Sequence, residues 1–301
     1  MSTTDQPTDR IDPSTNPATT TTDPSPSSGA NAPATGRELT YDVPSGPIWL
    51  WRDSWTEAMR HLRAVPRDPE LLIFATIQPL MFVLLFTYVF GGSIDVPGFA
   101  NYTQFVMPGI FAQTVLFGSA FTGLGIAEDL SKGMIERLRS LPMYQPAVLI
   151  GRTVSDLCRN VFTFLVMFVV ALIIGFRVLG GIPAALGATA LLLFFGYAFS
   201  WIQAYIGMSV KTVEAANSAG FIWMFPLTFI SSAFVDPSTM PSWLQPIAEA
   251  NPFTKVTDAT RALYNGMDPG NDVWISLAWA VGITVVFAAL SARKFTSAAT
   301  R

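Results

Sequence analysis

Residues Phe105–Ala127 read FVMPGIFAQTVLFGSAFTGLGIA, 23 positions without a charged side chain. A run of that length and polarity fits a lipid bilayer. Crossing roughly 30 Å of hydrocarbon takes about 20 helical residues, and only a helix or a closed barrel satisfies the backbone there. Five further runs have the same character: Leu71–Phe90 (20 residues), Val161–Phe176 (16), Ile182–Val210 (29), Ala215–Val235 (21) and Val273–Leu290 (18). The third run extends backwards through Leu149–Asn160 as one long helix. None shows the period-2 alternation of a barrel strand. The pattern predicts an all-α polytopic membrane protein with six transmembrane helices, at about 71–90, 105–127, 149–176, 182–210, 215–235 and 273–290.

Composition agrees. Of 301 residues, 50% are hydrophobic and only 13% are charged, against roughly 25% charged in a soluble domain. The 21 acids and 18 bases give a net charge of −3, which leaves no basic surface for nucleic acid. One cysteine, Cys158, excludes an intramolecular disulfide and a Cys-based zinc cluster. One histidine, His61, excludes His-rich metal sites. No catalytic residue, metal site or bound cofactor is assigned to the chain.

Residues 1–46 are rich in Thr, Ser, Pro and Asp and read as a disordered cytoplasmic tail, without the basic start and apolar run of a signal peptide. Residues 47–66 read as an interfacial amphipathic helix. Ile48, Trp51, Trp55, Met59 and Leu62 share one face, Arg52, Asp53, Glu57, Arg60 and Arg63 occupy the rest, and Pro47 and Pro66 bracket the run. A transmembrane domain covers 67–295, and 296–301 form a cytoplasmic C-terminal tail.

With the N-terminus inside, cytoplasmic segments hold 15 of the Lys and Arg residues, and external segments hold 3: Arg177, Lys255 and Arg261. That asymmetry places both termini in the cytoplasm.

Two segments between spans carry their own pattern. Glu128–Gln145 reads EDLSKGMIERLRSLPMYQ, in which Gly133 loosens the chain before Met134, Ile135, Leu138 and Leu141 alternate with Glu136, Arg137 and Arg139, up to Pro142. A helix here carries a mixed apolar and charged face suited to docking in the cytoplasm. The external segment Asp236–Asp272 is 37 residues long. It contains MPSWLQPIAEANPFTKVTDATRALYNG (Met240–Gly266), which suggests two short helices, Ser242–Ala250 and Thr254–Tyr264, broken at Asn251–Pro252. Trp243, Leu244, Ile247 and Phe253 are too apolar for an ordinary loop. They suit either half-helices dipping into the outer leaflet or a small external cap.

This order of interfacial helix, two spans, GMIERLRSLPM, three spans and MPSWLQPIAEANPFTKVTDATRAL resembles the membrane subunit of ABC-2-type exporters. RDPELLIFATIQPLMFVLLFTYVFGGSI (Arg67–Ile94) is most similar to daunorubicin/doxorubicin-resistance permeases of actinobacteria. The resemblance covers about residues 48–295. It implies a permease half-transporter in the bacterial plasma membrane that pairs with a second permease copy, as homodimer or heterodimer, and with separate ATPase subunits using ATP and Mg. It implies that Gly133–Pro142 is the coupling helix on the ATPase, and that Trp243, Asn251, Pro252 and Arg261 mark a re-entrant external gate. The residues themselves contain no G-x-x-x-x-G-K-[ST] phosphate loop, so ATP hydrolysis is assigned to the partner.

Charge inside the spans is confined to the third, where Arg152, Asp156 and Arg159 share a helix face as a charge-balanced base. Glu128 and Asp129 end the second span and face water or the ATPase. Gln78–Pro79 and Phe225–Pro226 mark kinks. Gly109, Gly118, Gly123 and Gly125 allow close helix packing. An ion-coupled secondary transporter is the alternative, weakened by the scarcity of carboxylates in the spans. Gln78, Gln113, Gln203, Tyr88, Tyr197 and Tyr205 are either helix contacts or orienting groups for an amphiphilic cargo. The substrate-binding residues are not identified by the sequence.

Overall fold

The computed structural model describes residues 56, 59, 69–91, 96, 98–99, 101–133 and 145–297. The chain divides into two units, Met1–Thr40 and Tyr41–Arg301, and every described residue falls in the second. The tail 1–46 and residues 298–301 lie outside the described residues. Within 47–66 only Thr56 and Met59 are described, both helical.

Eight α-helices are present among the described residues: α1 (Pro69–Leu84), α2 (Tyr102–Ser131), α3 (Gln145–Ile174), α4 (Gly181–Gly207), α5 (Val213–Phe229), α6 (Gln245–Ala250), α7 (Pro252–Asn265) and α8 (Asp272–Ser297). Four stretches are long and apolar enough to cross a membrane: Tyr102–Ser131, Val148–Ile174, Gly181–Gly207 and Asp272–Phe295. The first predicted span is a shorter apolar helix that ends in a π turn, Leu85–Phe90, a local rewinding that hydrophobic periodicity does not signal.

Side-chain and backbone contacts fix the helix directions. Near α7 lie the start of α2 (Gln104 carbonyl to Asn265, 3.3 Å), the exit of α3 (Phe176 against Tyr264, 5.7 Å between centroids) and the start of α4 (Thr189 hydroxyl to Tyr264 hydroxyl, 2.9 Å). The exit of α5 (Leu227 carbonyl to Asn251, 2.7 Å) and the start of α8 (Asp272 to Lys255, 3.3 Å) meet there too. The opposite ends meet each other: Arg152 of α3 reaches Asp129 of α2 at 3.4 Å, and Lys294 of α8 reaches Ser209 after α4 at 2.6 Å. Consecutive long helices therefore alternate in direction. The π turn ending α1 stacks Phe86 on Phe234 at 4.4 Å, which brings α1 out at the α7 end as well.

The glycines of α2 permit this packing. A Cβ at Gly109 would enter the backbone of Ala233, and one at Gly118 would enter the Asn160 carboxamide. At Gly123 it would sit 2.7 Å from the Gln203 carbonyl oxygen. Where α2 leaves room, aromatic rings fill it: Phe111 meets Phe164, Phe168, Phe176 and Tyr264 at 5.4–5.9 Å between centroids.

Two predicted runs end early. The fourth stops at Gly207, with a turn over Met208–Ser209. The fifth is helical only over Val213–Phe229, and Ile230–Val235 leave the helix. The cause lies in α6 and α7, whose polar side chains bind the carbonyls that a continued helix would use.

Candidate functional site

The predicted external helices form as Gln245–Ala250 and Pro252–Asn265, hinged at Asn251. Asn251 adopts extended backbone, and its Oδ1 accepts from Phe253 N at 2.8 Å. Pro252 occupies the first helical position, where a missing N–H costs nothing. The other end of the Asn251 amide donates to the carbonyls of Leu227 (2.7 Å) and Ile230 (2.6 Å). One side chain thus caps α7 and ends α5. Gly266, at φ 71°, closes α7 in the left-handed conformation that glycine tolerates.

Three turns into α7, Arg261 gathers three elements. Its Nε donates to the Phe105 carbonyl (2.9 Å), Nη1 to Asp258 (2.6 Å) and Nη2 to the Ser232 carbonyl (2.6 Å). The guanidinium lies over the Phe105 ring, 3.9 Å from its centroid. Asp258 also accepts from the Ser232 hydroxyl at 2.6 Å. Burial pulls the Arg261 pKa down to about 10, with Asp258 acting against it, so the group stays charged at neutral pH. Burial likewise pushes the Tyr264 phenol up to about 12.

The structure therefore brings Asn251, Pro252 and Arg261 onto one hinge. Trp243 stands apart from it, before α6, with 70% of its surface exposed. Of the predicted docking segment only Gly133 is described, in a turn at φ 64°. Met134, Ile135, Glu136, Arg137, Leu138, Arg139, Leu141 and Pro142 lie outside the described residues.

A second polar site lies toward the other end. Asp156 receives Arg152 Nε at 3.2 Å and Arg159 Nη2 at 3.0 Å, and Arg152 also reaches Asp129. Asp129 is thus not left to water, while Glu128 pairs with Lys132 at 2.6 Å on the surface. The three charges on α3 balance as the spacing predicts, but they are not a wet base. Asp156 is 4% exposed and Arg159 11%. Arg159 also lies over the Phe121 ring, 4.6 Å from its centroid.

Beside Arg159, helices α1, α2, α3 and α5 enclose a cavity of about 320 Å³, walled in part by Gln78, Thr114, Phe117, Phe121, Arg159 and Asn160. That volume lies at the small end of ligand pockets. The sequence reading missed it: Arg159 reads as the foot of a span, and Gln113 and Gln78 as helix contacts. The available signal is Arg159–Asn160 set between apolar residues at mid-helix, since an intramembrane ionisable residue marks a functional site by default.

A family model described as ABC-2 type transporter matches residues 53–265. The chain is 36% identical over 240 residues to a daunorubicin resistance ABC transporter permease protein of Streptomyces coeruleorubidus, covering 80% of this chain and 84% of the relative. It is 24% identical over 222 residues to a probable doxorubicin resistance ABC transporter permease protein of Mycobacterium tuberculosis, covering 74% and 80%. An inner membrane transport permease of Escherichia coli K12 is 23% identical over 239 residues, covering 75% and 87%.

Proposed function

The chain belongs to the ABC-2 type transporter family, and from that premise we propose that it is the permease subunit of an ATP-driven exporter of lipophilic or amphiphilic compounds. It is a multi-pass membrane protein, and its relatives are transport components. The observation that carries the cargo class is the 36% identity to a daunorubicin resistance permease over most of both chains. The aromatic walls of the cavity beside Arg159 support it.

In this reading all six segments span the bacterial plasma membrane, with both termini in the cytoplasm. Two permease copies, identical or related, assemble with two ATPase subunits that bind ATP and Mg. Gly133–Pro142 docks on the ATPase. Asn251, Pro252 and Arg261 hold the external gate, and Trp243 stands at its rim. The hinge at Asn251 gives the gate a physical basis, because two helices there are joined to α5 through one carboxamide.

The test is ATP-dependent accumulation of an anthracycline in inverted vesicles that carry the permease and its ATPase. Replacement of Glu136 and Arg137 together is expected to abolish accumulation while the permease still reaches the membrane. Accumulation that needs no ATP and follows an imposed proton gradient would overturn the exporter reading. Undiminished transport by the double variant would remove the docking assignment.

A further inference from the structure

The cavity between α1, α2, α3 and α5 is polar in one sense only. Its hydroxyl and amide donors are largely committed to helix backbone: Thr114 donates to the Ile110 carbonyl at 2.7 Å, and Asn160 Nδ2 to the Val115 carbonyl at 2.9 Å. Two buried side-chain atoms around it have no hydrogen-bond partner, Arg159 Nη2 and Gln113 Nε2. Gln113 faces a small annex that shares Gln78, Thr114 and Phe117 with the main cavity. Both orphaned atoms are N–H donors.

A guanidinium cannot shed its proton to escape this situation. The Asp156 carboxylate, 3.0 Å from Nη2, offsets the charge without offering a hydrogen-bonding alignment. An unpaired donor in a space walled by Phe117, Phe121 and Phe221 is expensive to retain. It becomes favourable once an acceptor arrives.

We propose that this cavity binds the head of an amphiphile through a carbonyl, carboxylate or phosphate oxygen, with the apolar body lying on the three phenylalanines. The assignment deepens the exporter reading and rests on it for the meaning of the site. A lipophilic cation lacking acceptors is the wrong partner, because it meets a guanidinium and leaves both donors unpaired. Ile77, at the α1 edge of the cavity, is 45% exposed on the bundle exterior, so entry runs sideways from the lipid.

The full chain in phosphatidylcholine nanodiscs, without ATPase or ATP, is photolabelled with a benzophenone-bearing alkyl carboxylate and, in parallel, with the matching alkyl trimethylammonium. Peptide mass spectrometry is expected to place the carboxylate label within 113–121 or 159–163. The ammonium label there is expected to be about tenfold weaker, as is the carboxylate label in Arg159→Gln. Gln113→Leu removes a donor without stranding a charge and is expected to weaken labelling about fivefold at unchanged Tm, so the test survives if Arg159→Gln fails to fold. Suppression by added phosphatidylglycerol identifies a lipid phosphate as the occupant. Suppression only by added lipophilic acid identifies a free amphiphile. Equal labelling by both probes, no label in these segments, or unchanged labelling in Gln113→Leu overturns the proposal. Because no ATP is present, loss of ATP-driven transport with labelling intact would count against the exporter reading alone.

Discussion

Arg261 and Arg159 are both buried, both paired with an aspartate three residues earlier, and both laid over a phenylalanine of α2, at 3.9 and 4.6 Å. The chain around them serves them differently. Arg261 has backbone carbonyls from two other segments on Nε and Nη2. Those carbonyls are free because α5 ends at Phe229 and because Phe105 lies in the first turn of α2. Arg159 sits where α2 and α3 are both continuous helix, so every nearby carbonyl is already used within its own helix. A buried arginine at broken backbone becomes a clamp, whereas one at unbroken backbone keeps an open donor. This difference assigns structure to the first and ligand binding to the second.

The largest effect is expected from Arg261→Met. It strands Asp258 and unpairs the Phe105 and Ser232 carbonyls together, a loss of about 3–5 kcal/mol by analogy with broken buried ion pairs. Arg261→Lys is expected to recover less than half, since an ammonium cannot reach three directions as a fork does. The same methionine at Arg159 is expected to cost about 1–3 kcal/mol, because no backbone carbonyl loses a donor there. Thermal unfolding in detergent ranks the three variants. A larger loss at Arg159 than at Arg261 would break the comparison.

A smaller pair of effects separates the two ends of α2. A methyl at Gly109 meets the Ala233 backbone, which the Arg261 clamp holds in place, whereas a methyl at Gly125 meets the far end of the Arg152 side chain. Backbone cannot give way as a guanidinium can. Gly109→Ala is expected to destabilise by about 1–3 kcal/mol and Gly125→Ala by well under that, read from the same unfolding curves. Equal losses would show that the charge cluster is as rigid as the clamp.

The sequence carried the helices far better than it carried these sites. Charge-free runs are long-range features, and they located every long helix to within a few residues. The breaker Asn251–Pro252 marked its hinge because capping chemistry is local. The end of α5 was not legible, since Ile230–Val235 are apolar throughout and leave the helix only because Asn251 and Arg261, more than 20 residues away, take their carbonyls. The cavity was hidden for the same reason: Gln113 and Arg159 lie 46 positions apart on different helices, and neither spacing nor composition links them. Nor does periodicity reveal a π turn, because Leu85–Phe90 is apolar on every face.

The smallest effect is expected at Trp243. It differs from Arg261, to which the external motif joins it, in having no buried role: 70% of it is exposed, as is 70% of Trp274 at the start of α8 on the same end of the bundle. Exposed tryptophans at one end of an apolar bundle are what a membrane–water interface collects, since the ring is apolar and its N–H seeks water or headgroups. Trp243→Ala therefore removes no packing partner, and its stability in detergent is expected to stay within about 0.5 kcal/mol of the parent. In inverted vesicles the rim position predicts a fall in ATP-driven anthracycline accumulation of about twofold, the loss of one interfacial anchor. A drop of several degrees in Tm would place the ring inside the hinge. A near-complete loss of transport at unchanged Tm would make Trp243, rather than the Arg261 clamp, the working part of the gate.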